Sequence, residues 1–335
     1  MARSRRANAV IFAFDFQVNA AIVLMLENIE DLEAIRLEGN YEDIELEFCN
    51  NKYILAQAKA VENSSVDFSH VRSNLKKALI SLSEGAQKCE TSQLIMITNS
   101  PNPLNDDLSK GLFFGPSYRE YKTLPESSQN LVDSYLNEID YPLDVNNFMI
   151  QVLPFETDND LERYKVVRQT VEDFVGRLKL NTPGIGQKVL SVWQNDIFEN
   201  GSRKDATIKL KKSDIIWPII AIITDVERID ENLSDVFDTS LYEEILFKYK
   251  EVIDSCCERC EFFVRVLYDY SSYESNKNAG EKCLDFALEK WGDYKSELLL
   301  ENADEEMEKG LIQVILYNIV KNRRVIDRIK REVCL

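Results

Sequence analysis

Apolar positions first recur near helical spacing, at Val10, Phe14, Ala21, Leu24 and Leu26, and predict a helix over residues 9–30. The pattern then shortens. Residues 34–38 read as a strand ended by Gly39 and Asn40. Residues 43–48 alternate polar with apolar, and 53–59 are strand-like again, with Asn50 and Asn51 between them. Asn tolerates the left-handed turn region, so 43–59 reads as a hairpin. A helix over 67–85 carries Val71, Leu75, Ala78, Leu79 and Leu82 on one face. Residues 94–98 and 148–153 read as buried strands, separated by a loop-rich stretch to Pro125 and a helix over 126–139. Helices near 159–179 and 185–199 follow. This order predicts an α/β fold: a mixed sheet with helices on its faces.

Residues 199–205 are uniformly polar or small and read as a boundary. Beyond them the pattern is almost wholly helical, strongest at 241–270, 280–300 and 305–332. A chain of 335 residues exceeds the usual single-domain size of roughly 100–200. The expected organisation is therefore a sheet domain over 1–200 and an all-helical domain over 205–335, the latter carrying assembly contacts.

Charge narrows the function classes. The 58 Asp and Glu against 40 Lys and Arg give −18, which argues against coating nucleic acid by bulk charge. A local nucleic-acid site stays open. No run of 18 apolar residues occurs. The block Ile215–Ile223 is short and holds Pro218, so no membrane span is expected. The basic start is followed by Asp15 and by no small-residue cleavage site, so no signal peptide is expected. Seven irregularly spaced cysteines suit a reducing cytoplasm.

The candidate chemistry lies in the hairpin. Asp43 opens its first strand, and Gln57 and Lys59, two apart on the second, share a face. A carboxylate beside a Gln carbonyl can hold a hard divalent cation, with a main-chain carbonyl and waters completing an oxygen shell. A lysine alongside can orient water and offset charge on a phosphorane-like transition state. The same residues also suit a half-exposed hairpin whose Gln57 and Lys59 face solvent. Against that, Ile54, Leu55, Ala56 and Ala58 are apolar, and a lysine is rare in a strand buried on both faces unless paired.

Four elements in order carry a resemblance: Phe14-Asp15-Phe16-Gln17 on the first helix, Glu38-Gly39 closing the first strand, Glu42-Asp43-Ile44 opening the second, and Gln57-Ala58-Lys59 in the third. Over roughly residues 8–155 the chain resembles the PD-(D/E)xK nuclease superfamily, in its Mrr-like branch. The local wording is closest to the double-stranded DNA endonuclease domain that bacterial anti-phage systems attach to varied sensors, in CBASS effectors and in the Lamassu-type nuclease subunit. The resemblance implies a restriction-endonuclease-like sheet and Mg²⁺- or Mn²⁺-dependent DNA cleavage. It implies Asp43 as metal-binding carboxylate, Gln57 in the position of the second acidic ligand, the Ala58 carbonyl as a further ligand, and Lys59 as catalytic lysine. Gln17 would support the metal or its waters, and Glu38 would be an accessory acid. The neutral Gln57 departs from the usual acid, and Glu38 or Glu42 could compensate. The short helical extension resembles the Lamassu-type subunit more than CBASS effectors, which implies an SMC-like ATPase, a third small subunit and self-association as partners. The competing reading is a non-catalytic scaffold that keeps a nuclease-like fold.

Other motifs carry less. Cys257-x-x-Cys260, beside Cys256, has zinc spacing but lacks a second pair, and Cys283 adds one ligand at most. The single histidine, His70, sits at a helix start near Arg72, Lys76 and Lys77, a surface position or a phosphate contact. Gly184 and Gly186 lack the dinucleotide pattern. Residues 301–308 form an acidic run. The basic end, Lys321, Arg323, Arg324, Arg328, Lys330 and Arg331, reads either as a solvated helix face or as a contact to DNA or an acidic partner.

Overall fold

The structure, a computed structural model, describes residues 2–156, 158–180, 182–224, 260–298 and 304–335, with 233, 236–238, 240–242, 244 and 245. It divides into two compact units: Met1–Lys179 with Gly186–Lys212, and Leu180–Ile185 with Ser213–Leu335. The polar stretch 199–205 lies within the first unit, and the division falls at Lys212.

The first unit is built on a mixed sheet of seven strands. Helix α1 (Ala2–Glu27) precedes β1 (Leu32–Leu37), β2 (Ile44–Phe48) and β3 (Tyr53–Lys59). Then come α2 (Val71–Ala86), β4 (Thr91–Thr98), β5 (Ser117–Glu120), α3 (Glu126–Leu136) and β6 (Phe148–Val152). Helices α4 (Asp160–Arg163), α5 (Lys165–Arg177) and α6 (Ile185–Ser202) lead to the two-residue β7 (Leu210–Lys211). The strand order is β5-β6-β4-β3-β2-β1-β7. The pairs β3–β4 and β4–β6 are parallel, and the others are antiparallel. The expected five strands are all present, and β5 and β7 are added at the two edges.

Local chemistry explains the elements. Asn51, in the β2–β3 connection, takes φ 59°, the left-handed conformation expected of it. Helix α1 is buried all round from Phe16 to Leu26, which places it inside the unit. Its span Asn8–Glu27 is long and apolar enough to cross a membrane, yet its most apolar window is 67% buried within the fold. On the other sheet face, Leu75, Ala78, Leu79 and Leu82 of α2 form a core with Leu55, Leu94, Met96, Phe148 and Ile150.

Arg36 closes the β1 edge. It is 1% exposed, and its guanidinium donates to the carbonyls of Asn200, Arg203 and Ile208. These bonds hold the end of α6 and the approach to β7 against the sheet.

From Ser213 onward the described elements of the second unit are helices joined by turns. They comprise α7 (Lys212–Thr224), α8 (Cys260–Ser272), α9 (Ala279–Lys290) and α10 (Glu305–Glu332). Pro218 does not end α7, and the helix expected over 280–300 gives way at Trp291 to a short 3₁₀ turn. Helix α10 is buried all round from Leu311 to Val320 and forms the centre of this unit. Of the bulky aromatics in this unit, Phe262, Phe263 and Tyr270 are buried in its core and Tyr268 is exposed. Leu311, Val314, Ile315 and Ile319 of α10 are core as well. Leu246, Phe247, Tyr249, Val252, Ile253, Cys256, Cys257 and the start of the acidic run lie outside the described residues.

Candidate active site

The sheet register assembles the site. Leu37 of β1 pairs with Ile44 of β2, and Ile44 pairs with Ala56 of β3. One step further along all three strands stand Glu38, Asp43 and Gln57. The main chain continues the ladder, because Glu38 N–H donates to the Asp43 carbonyl at 2.8 Å. Glu38 takes φ 52°, a left-handed conformation that starts the turn back to Asp43. Hairpin pairing thus brings together three residues that the sequence spreads over two turns.

Asp43 is tied to β3 through one carboxylate oxygen. Oδ2 accepts from the Gln57 side-chain amide and from the Ala58 N–H, the latter at 3.1 Å. Oδ1 accepts no hydrogen bond from described residues. The two main-chain polar groups of a strand residue face the same neighbour, so the Ala58 carbonyl also faces the β2 side. Lys59, next on the Gln57 face, is half-buried; Thr98 Oγ1 donates to its carbonyl at 2.6 Å. Its ammonium forms no ion pair with a described residue.

Burial raises the Asp43 carboxyl above its ordinary pKa; Lys59 opposes this and Glu38 adds to it. Burial likewise lowers the Lys59 ammonium, against the pull of Asp43, Glu42 and Glu38. Both groups are therefore held away from bulk water yet within each other's field, as a working acid–base or charge-stabilising pair requires.

Glu42 joins this cluster. Sequence reasoning offered it only as a stand-in for the missing acid. It is 6% exposed, packed under α2, and its Oε1 is buried without a hydrogen-bond partner. Its Oε2 accepts from the Asp43 N–H at 3.2 Å. Burial pushes its carboxyl up to about 7, with the nearby Ser81 hydroxyl and the Lys59 charge working the other way. The single glycine of α2 lets the helix cover it: Gly85 lies against the Tyr41 carbonyl and the Glu42 side chain. Glu45 completes the support, accepting from the Tyr41 and Glu42 N–H groups and filling the space beside Gly39.

Gln17 reaches the site at one remove. Its Nε2 donates to Glu38 Oε1 at 2.8 Å, and it contacts neither Asp43 nor Gln57 by hydrogen bond. The rest of that four-residue motif disperses: Phe16 stacks edge-on against Phe155, Phe14 meets Phe198, and Asp15 bonds Tyr164 and Asn19. His70 is exposed and caps nothing with its side chain. Arg72 donates to the Leu104 and Asn105 carbonyls and Lys76 pairs with Glu138, so both are engaged within the unit.

The donor set suits a hard cation. Asp43, Glu42 and Glu38 carry more negative charge than Lys59 balances, and the Gln57 amide and Ala58 carbonyl add neutral oxygens. No group of three or more His, Cys, Asp or Glu side chains converges for a metal among the described residues. Mg²⁺ is commonly held by one or two carboxylates, with waters and substrate phosphate making up the shell. Gln57 meets Asp43 through its amide nitrogen; rotating the amide about its last bond presents Oε1 instead. No protein-family model matches the chain, and no curated protein or solved structure matches it at a significant level.

Proposed function

We propose that the first unit is a restriction-endonuclease-like domain that hydrolyses phosphodiester bonds of double-stranded DNA with Mg²⁺ or Mn²⁺. The observation that carries this reading is the register that lines up Glu38, Asp43 and Gln57 on three adjacent strands, with Lys59, which forms no ion pair among the described residues, next on the Gln57 face. Asp43, the Gln57 amide oxygen and the Ala58 carbonyl would hold the cation. Bound there, it supplies Lewis acidity toward a phosphoryl oxygen. Lys59 binds a non-bridging phosphate oxygen and offsets the charge that grows on it. Gln17 holds Glu38 in place, and Glu42 sits behind Asp43. In the cell the enzyme serves anti-phage or anti-plasmid defence and is switched on by assembly, with an SMC-like ATPase, a third small subunit and further copies of itself as the proposed partners.

The test is plasmid DNA incubated with and without Mg²⁺, comparing wild type with Lys59→Ala, alone and in the assembled state. Mg²⁺-dependent nicking or linearisation by wild type and none by the variant supports the reading. No cleavage in any assembly state overturns it. One observation favours a scaffold instead: the Gln57 amide nitrogen already satisfies Asp43 without a cation. A scaffold would show no Mg²⁺ binding by calorimetry, and partner binding unchanged by Asp43→Asn.

A further inference from the structure

The face of the sheet that carries the candidate site is the face α2 covers. Leu55 of β3 packs in one core with Leu75, Ala78, Leu79 and Leu82 of that helix. Gln57 and Lys59 follow Leu55 at steps of two and point the same way. Helix α2 joins β3 to its parallel neighbour β4, so it runs back along β3. Its last turn is fixed over the lower part of the strand, since a Cβ at Gly85 would lie 3.0 Å from Leu55 Cδ1. From Gly85 back to Lys77 the helix rises about 12 Å. From Leu55 on to Lys59 the strand rises about 13 Å. Lys77 and Lys59 therefore stand near one level on one side of the sheet. Ser81, one turn after Lys77, has its hydroxyl beside the Glu42 carboxyl. Residues one turn apart share a helix face, so Lys77 is on the side of α2 that looks toward the site.

Charge on that side is left open. The cations of α2 are Arg72, Lys76 and Lys77. Arg72 donates to the Leu104 and Asn105 carbonyls, and Lys76 pairs with Glu138. Lys77 is exposed and forms no hydrogen bond or ion pair with a described residue. The Lys59 ammonium has no ion pair there either; burial lowers its pKa, Asp43 and Glu42 oppose that, and the Lys77 charge adds to the fall. Two ammonium groups in each other's field repel, and an anion seated beside both turns that repulsion into attraction.

We infer that Lys77 binds a backbone phosphate of the DNA, next to the phosphate that Lys59 takes. The inference rests on the reading of this site as a DNA nuclease. Every nucleotide carries a phosphate charge, so a strand seated with one phosphate at Lys59 brings another alongside. An ammonium on a flexible stem is a point charge that accepts a phosphate at no fixed angle, unlike the planar guanidinium. A phosphate contact sets the position of the strand and reads no base, so Lys77 adds affinity without sequence preference. Helix α2 is then one wall of the substrate groove as well as the cover over Glu42.

Fluorescence anisotropy of the full chain with a labelled, mixed-sequence DNA duplex, in EDTA and across about 50–200 mM salt, reads the contact apart from cleavage. Wild type binds with an affinity that falls as salt rises. In Lys77→Gln the slope of log affinity against log salt becomes shallower by about 0.9, the value for one phosphate no longer neutralised. Lys77→Arg keeps the slope, which separates charge from helix damage. Lys76→Gln makes the same charge change at the next residue, whose ammonium is held by Glu138, and also keeps it. An unchanged slope in Lys77→Gln, an equal drop in Lys76→Gln, or no wild-type binding at the lowest salt overturns the inference. Plasmid cleavage by wild type alongside any of these results removes the Lys77 contact and leaves the nuclease reading in place. The Lys77 slope change without Mg²⁺-dependent cleavage in any assembly state does the reverse.

Discussion

The side-chain amide of Gln17 donates to Glu38 Oε1 at 2.8 Å and ties the middle of α1 to the residue that closes β1. Glu38 is exposed, and among the described residues no other group hydrogen-bonds its carboxylate. Gln17→Ala should cost about 0.5–1.5 kcal/mol of stability, the usual net worth of one hydrogen bond. It should lower cleavage several-fold through weaker Mg²⁺ binding. Urea unfolding and a Mg²⁺ titration of activity check both parts; a lower rate at saturating Mg²⁺ with unchanged metal affinity would refute the supporting role.

Asp43 and Lys59 should separate cleanly. Asp43→Asn keeps the side-chain size but removes the charge, so calorimetric Mg²⁺ binding should vanish together with cleavage. Lys59→Met relieves a desolvated ammonium, so the variant should be as stable as wild type or more so. It should still bind Mg²⁺ and cut no DNA. Mg²⁺ affinity abolished in Lys59→Met, or kept in Asp43→Asn, would contradict the assigned roles.

Glu42 makes a pH prediction. Its folded carboxyl is pushed up to about 7 from 4.5, so between those values the folded state holds a proton that the unfolded state has released. Stability from this group is present at low pH and is lost as pH rises through about 7. The shift corresponds to about 3 kcal/mol. Urea unfolding at pH 5 and at pH 8.5 should show Glu42→Gln gaining on wild type by roughly that amount across the interval. Parallel curves would mean that Glu42 is solvated.

The strands that build the site were legible because their pattern is strong. Residues 53–59 and 94–98 are apolar enough to be buried, and Asn51 marks its own turn. Strands β5 and β7 were not, because Ser-Tyr-Arg-Glu and Leu-Lys pair at sheet edges through main-chain bonds that leave no hydrophobic signature. The polar stretch 199–205 looked like a linker for a similar reason. What holds it is Arg36, more than 160 residues earlier, bonding to its main-chain carbonyls, which no side-chain pattern records. Asp43, Gln57 and Lys59 were visible as residue types at a spacing. The buried state of Glu42 was not, since it depends on how α2 packs.

That packing turns on Gly85, and one substitution probes it. An added Cβ at Gly85 would lie 2.8 Å from the Tyr41 carbonyl oxygen and 3.0 Å from Leu55 Cδ1. The Leu55 methyl can shift; the carbonyl is backbone and moves only if α2 lifts or the 41–43 segment gives way. Gly85→Ala gains about 1 kcal/mol of helix propensity and loses about 1–3 kcal/mol to overpacking. A net loss of about 1 kcal/mol is expected by urea unfolding. The displaced segment carries Glu42 and Asp43, so Mg²⁺ affinity should fall further than so small a stability change would produce. Gly176→Ala in α5 is the control, because its Cβ would meet nothing within 4 Å. It should raise stability by ~0.5–1 kcal/mol and leave Mg²⁺ binding unchanged. If both variants gain stability alike, α2 does not press on the Asp43 segment and the coupling between this helix and the site does not exist.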